Sequence, residues 1–251
     1  MNLAEALQPD LPARIAIVGG GGKTTAMFQL ARQIDGPVWV TTTTHLGTDQ
    51  LDLADKHFLV NSAADLDVHQ LKMQKISLVT GPFTPDDRVR GPAPEVLARL
   101  FQLAEQEQVS LIVEADGSRS HPIKAPAEHE PAIPAWAKMV ITVAGLSALD
   151  QPLNQDWVHR PEQFSRLTGL GIGQPISIES LARLLTHPEG GLKGTPAGSI
   201  NVVLLNQADS AETQASAKKI ILKLLSEGYA KVIIGGLKSA PQSLECYQSE
   251  D

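Results

Sequence analysis

Apolar residues in this chain gather into short β-branched runs. Stretches with apolar positions three and four residues apart lie between them. Residues 14–18, Arg-Ile-Ala-Ile-Val, form a run that stops at four glycines and predicts a buried strand entering a tight loop. Residues 24–34 then place Ala26, Met27, Leu30, Ala31 and Ile34 at helical spacing, and Asp35-Gly36-Pro37 closes that helix. Residues 38–42 are β-branched and aromatic, a second strand. Strand, loop, helix and strand make a βαβ unit, which requires a parallel sheet with a right-handed crossover.

Further strands are predicted at 57–60, 76–80, 110–115, 139–144, 200–205 and 231–234, with helices at 94–106 and 211–227 and another between 60 and 76. The expected fold class is α/β: a mostly parallel, doubly wound sheet in one domain spanning 1–251. Residues 118–134 are rich in Pro, His and charge and read as a long irregular loop; residues 159–188 read as a small helical insertion.

The chemistry concentrates where the first strand ends. Gly19, Gly20, Gly21 and Gly22 allow the backbone to curl around a ligand, and Lys23, Thr24 and Thr25 open the following helix, whose free N–H groups and dipole favour an anion. Lys23 suits terminal phosphate oxygens and Thr24 suits Mg2+, the arrangement of P-loop nucleotide-binding proteins. The usual pattern has Gly where this chain has Ile17. The loop resembles the Gly-Gly-x-Gly-Lys-Thr variant of the dimeric ATPase and GTPase branch, which leaves a homodimer as an option. That branch often carries a lysine where this chain has Val18.

Residues 111–117, Leu-Ile-Val-Glu-Ala-Asp-Gly, have the form of a strand that delivers a carboxylate to the ligand crevice. Asp116 is the expected second metal ligand beside Thr24, and Glu114, on the same strand face, the group that positions water; with Lys23 they form the expected catalytic set. Thr43, in a run of four threonines, and His45 end the second strand and are candidates for ligand contact. Asn206 and Asp209, in Asn-Gln-Ala-Asp, resemble a guanine-reading motif with Gln207 in place of lysine; an ordinary turn using the same residues is the alternative. In the long loop, Arg119, Lys124, Glu128, His129 and Glu130 are candidates for a substrate or partner contact.

These motifs, with His159-Arg-Pro-Glu162, together resemble the YqeC-like family, whose members are described as accessory proteins of selenium-dependent molybdenum hydroxylases. The resemblance runs through nearly the full chain. It implies a P-loop protein acting in maturation of a molybdenum enzyme, with that enzyme or its maturation factors as protein partner. It also implies that the glycine loop, Asp116 and the 124–130 loop belong to one site.

Composition narrows the rest. A formal net charge of -7 disfavours nucleic acid as the main partner. The lone Cys246 gives no internal disulfide, and no run suits a membrane span or a signal peptide, so a cytoplasmic protein is expected. Three functions follow for a protein using Mg2+ with GTP or ATP: a nucleoside triphosphatase, a small-molecule kinase or nucleotide-dependent ligase, and a non-catalytic nucleotide sensor.

Overall fold

The computed structural model describes residues 1–249. Nine strands form the main sheet: β1 (Arg14–Gly19), β2 (Val38–Thr42), β3 (Lys56–Leu59), β4 (Ile76–Thr80), β5 (Ser110–Glu114), β6 (Met139–Gly145), β7 (Ile200–Asn206), β8 (Lys231–Ile234) and β9 (Glu245–Gln248). Their order across the sheet is β9-β8-β7-β6-β1-β5-β2-β4-β3. Every neighbouring pair is parallel except β8 with β9. This is the mostly parallel α/β sheet expected from the alternation of runs.

Helices cover both faces, as a parallel sheet requires. On one face, α1 (Leu3–Leu7) and α2 (Lys23–Gln33) bury Leu3, Leu7, Met27 and Leu30 against Ile15, Ile17, Val38, Val40, Ile112 and Ile141. On the other, α4 (Pro94–Gln106), which follows the one-and-a-half-turn α3 (Val68–Lys72), sets Val96 and Leu100 against Trp39 and Leu111. Further along that face, α5 (Pro161–Thr168), α6 (Ile178–Thr186), α7 (Ala211–Lys218) and α8 (Ile221–Ser226) pack on Val203, Leu205, Val232 and Ile234. Val38 and Val40 face one way and Trp39 the other, the two-residue period of a strand buried on both sides. Each such aliphatic side chain contributes roughly 1.5–3 kcal/mol on burial.

The single helix expected at 211–227 is two helices. Lys219 N–H donates to Ser216 O and Ile220 N–H to Ala217 O, so tight three-residue turns replace the helical bonds there. The 118–134 loop is also more ordered than its composition suggests: Ile123–Lys124 pairs in parallel with Val158–His159. A small second sheet joins His45–Gly47, Arg88–Arg90 and Phe83–Thr84 beyond the end of β2. No helix among the described residues is long and apolar enough to cross a membrane.

Because the strands are parallel, their carboxyl ends lie together. The segments after β1, β2, β5, β6, β7 and β8 therefore converge on one rim, beside the strand from which the chain winds both ways.

Candidate phosphate-binding site

β1 ends at Gly19 (φ 95°), and Gly21 (φ 76°) and Gly22 (φ 125°) carry the chain through a backbone path that side chains rarely follow. Space enforces the same choice: a Cβ on Gly20 would lie 2.8 Å from His121 O, and one on Gly21 2.5 Å from Gly145 N. The loop is pinned by Gly20 N–H to Val143 O and Gly21 N–H to His121 O, both 2.9 Å. The first amide of α2 with a helical partner is that of Ala26, bonded to Gly22 O. The N–H groups of Lys23, Thr24 and Thr25 therefore precede the helical bonding pattern, and no acidic residue sits in that first turn to offset the dipole.

A chain of buried charges runs from this turn into the 118–134 loop. Lys23 Nζ donates to Gly19 O at 2.9 Å and lies 3.4 Å from Asp116 and 3.6 Å from Glu114. Asp116 also accepts from Gly19 N–H, and its other side faces Lys124 Nζ at 3.0 Å. Lys124 in turn lies 2.9 Å from Glu130, which takes both Nη atoms of Arg160 at 2.7 and 3.2 Å. The Lys124 ammonium thus sits between two carboxylates at ion-pair distance. Burial alone would raise the Glu130 carboxyl, but Lys124 and Arg160 overcome it and hold it down to about 2. Burial, with the charges of Arg160 and Lys124, lowers His159 to about 4.

Thr24 Oγ1 donates to Glu114 at 2.7 Å. Burial raises the Glu114 carboxyl, and Asp116 adds to this, while Lys23 and Thr24 oppose it. Two buried carboxylates and a hydroxyl form a hard-oxygen set of the kind that suits Mg2+, and a cation there would relieve the carboxylates' desolvation. The threonines after β2 divide their tasks. Thr41 and Thr42 donate to Val79 O and Glu114 O, which ties strand ends together. Thr43 N–H also donates to Glu114 O, but its hydroxyl oxygen is buried with no protein partner, an orphan beside the same carboxylate strand.

An open cleft of about 950 Å³ spreads over the glycine loop. Thr25, His45, Arg119 and Asp209 line it together with Gly21, Gly22, Lys23, Thr24 and Glu114. Asn206 is a brace: it donates to Gly21 O at 2.7 Å and accepts from Leu237 N–H at 2.9 Å. Asp209 accepts from Ser239 Oγ. Gly19, Gly20, Asp116, Lys124 and Glu130 thus gather at the loop, whereas Glu128 and His129 are exposed and do not join the charge chain. No cluster of three or more metal-ligating side chains of the His, Cys, Asp or Glu type occurs among the described residues.

The glycine loop, the carboxylate strand, the 118–134 loop and Arg160 all fall within residues 15–162, and that segment matches the family described as "YqeC protein". The chain is also 31% identical over 236 residues to "Uncharacterized protein YqeC" of Escherichia coli (strain K12), covering 92% of this chain and 90% of that protein. The chain belongs to the YqeC family. Asn206, at the end of β7, and Asp209, in the segment after it, lie outside the part matched to the family. Among solved structures, the "MinC:MinD cell division protein complex" of Aquifex aeolicus is similar at 13% identity and a TM-score of 0.47, over 88% of this chain and 81% of that one.

Sequence reasoning gave Arg160 no role, although it completes the charge chain, because nothing local joins it to Glu130. Its signal in the sequence was its place in His159-Arg-Pro-Glu162, before a helix-opening proline. Arg88 and Asp86 were missed as cleft residues for the same reason.

Proposed function

We propose that this protein binds a nucleoside triphosphate with Mg2+ in the cleft and hydrolyses it. The observation that carries the reading is the joint placement of Lys23, Thr24, Glu114 and Asp116 beneath the unbonded amides of α2, at the mouth of a polar cleft. Lys23 rests on a loop carbonyl and two carboxylates, contacts that phosphate oxygens can replace one for one. Thr24, Glu114 and Asp116 are the groups that would hold Mg2+, which would neutralise phosphate charge. The contact of Thr24 with Glu114 adds Glu114 to the pair Thr24 and Asp116 expected from sequence. In hydrolysis a water oxygen bonds to the terminal phosphorus while the bond to the bridging oxygen breaks, releasing a nucleoside diphosphate and inorganic phosphate. Lys23 and the α2 amides carry the developing charge.

Asp209, on the cleft wall after β7, is the group for reading a guanine base, and Asn206 braces the glycine loop beside it. The family resemblance supports a role in maturing a molybdenum hydroxylase, with hydrolysis driving a step on a protein partner. Transfer to an acceptor instead of water is a second reading, favoured by the reach of the cleft past the phosphate loop to the small sheet. The test is phosphate release from GTP and ATP with Mg2+. Turnover lost in Lys23→Ala supports hydrolysis, and nucleotide binding without turnover in any condition refutes it.

A further inference from the structure

The cleft is at the upper end of the roughly 300–1,000 Å³ typical of small-molecule sites. The glycine loop divides it. On the β7 and β8 side stand Asn206, Asp209 and Lys238; on the β5 and β2 side stand the 117–120 turn and the small sheet. Thr24 meets Glu114 at the end of β5, so the terminal phosphate of a nucleotide bound as proposed above faces the second wall.

That wall carries two guanidinium groups that make no ion pair and no hydrogen bond among the described residues. Among the described residues the arginine ion pairs are those of Arg14, Arg32 and Arg160; Arg88 and Arg119 have none, and their side chains donate no hydrogen bond. The carboxylates on the same wall are turned into their own loops. Asp86 accepts from Thr84 Oγ1 and feels the charges of Arg88 and His45 only from beyond ion-pair distance, and Asp49 lies over Gly47. The 117–120 turn holds left-handed backbone at two consecutive non-glycine residues, Arg119 (φ 50°) and Ser120 (φ 63°). Such conformations cluster at ligand-binding sites, where the surrounding structure sustains them. A free guanidinium is a planar fork of donors matched to carboxylate and phosphate.

We propose that this wall is a second ligand subsite, taking a small molecule with a carboxylate or phosphate group that Arg88 and Arg119 hold beside the nucleotide's terminal phosphate. The inference rests on the nucleotide reading above. His45, on the same wall, supplies a further polar contact.

The test is calorimetric titration of inorganic phosphate, and separately of succinate, into the full chain saturated with Mg2+ and a non-hydrolysable triphosphate analogue. The subsite predicts binding of at least one of the two probes, and which one binds tells phosphate from carboxylate. Arg88→Met and Arg119→Met should each weaken that binding about tenfold or more, as loss of a charge-assisted contact does. Arg88→Lys should retain part of it and serves if the methionine variant misfolds. A protein that loads the analogue but binds neither probe overturns the subsite, as do variants that bind as well as the parent. Failure to load the analogue is a different outcome: it overturns the nucleotide reading and the subsite together.

Discussion

Replacing Lys124 with methionine keeps the volume of the buried stem and removes the charge between Asp116 and Glu130. Both carboxylates then lose a partner within 3.0 Å, in surroundings where Lys124 has no exposed side-chain surface. Breaking a buried ion pair from one side costs about 3–5 kcal/mol. The lower end applies here. Asp116 keeps Lys23 at 3.4 Å and the Gly19 amide, and Glu130 keeps both arms of Arg160. We therefore expect a loss of about 3 kcal/mol, which for a chain of this length lowers Tm by about 6–12 °C. Urea and thermal denaturation followed by circular dichroism give both numbers. A double-mutant cycle with Asp116→Asn sharpens the test: once Lys124 is gone, neutralising Asp116 should cost less than in the parent, because it removes an under-compensated charge. A Lys124→Met variant within 1 kcal/mol of the parent, with additive behaviour in the cycle, would refute the buried charge chain.

Three further outcomes follow from the same contacts. Asn206→Ala strips partners from Gly21 O and Leu237 N–H and should lower stability by about 3 kcal/mol and weaken nucleotide binding, both measurable on one preparation. Asp209→Asn should erode a GTP-over-ATP preference by about 10–100-fold, the worth of a charge-assisted bond; unchanged selectivity in competition binding removes Asp209 from base reading. Acid should destabilise the fold through Glu130. Its folded value near 2 lies below the ordinary glutamate value, so its stabilisation is full above about pH 4.5 and drains away as pH falls toward 2. That difference is worth ~3 kcal/mol, or ~2 after solvent screening of a side chain that is 15% exposed. Glu130→Gln should flatten this part of the stability profile, and a profile of unchanged slope would contradict the assignment.

The glycine loop's conformation was legible because its logic is local: a strand, glycines where the backbone must turn left-handed, then Lys-Thr opening a helix. The sheet was legible for a related reason, since apolar runs bounded by turn residues read directly as strands. The contact of Thr24 with Glu114 spans 90 positions and was visible only as two separate motifs. The family resemblance placed Asp116 and the 124–130 loop in one site, but the ion-pair link from Asp116 through Lys124 and Glu130 to Arg160 was not legible in the residues themselves. It depends on Ile123–Lys124 pairing with Val158–His159, which folds the 118–134 loop back under β1 and β6. Glu128, His129 and Glu130 are neighbours in sequence, yet only Glu130 turns inward, because the backbone alone decides which side chain meets Lys124. The break at Lys219 and Ile220 escaped detection since both residues are compatible with helix and local tertiary packing overrides propensity.

In our reading the glycine loop and Lys23 hold the phosphates of a Mg2+-bound nucleotide. Calorimetric titration of GTP and ATP, with and without Mg2+, into the parent chain and Lys23→Ala tests it most directly. A triphosphate should bind, more tightly with Mg2+, and binding should be lost in the variant. Binding that survives undiminished without Lys23, or a parent that binds neither nucleotide with Mg2+, would contradict it.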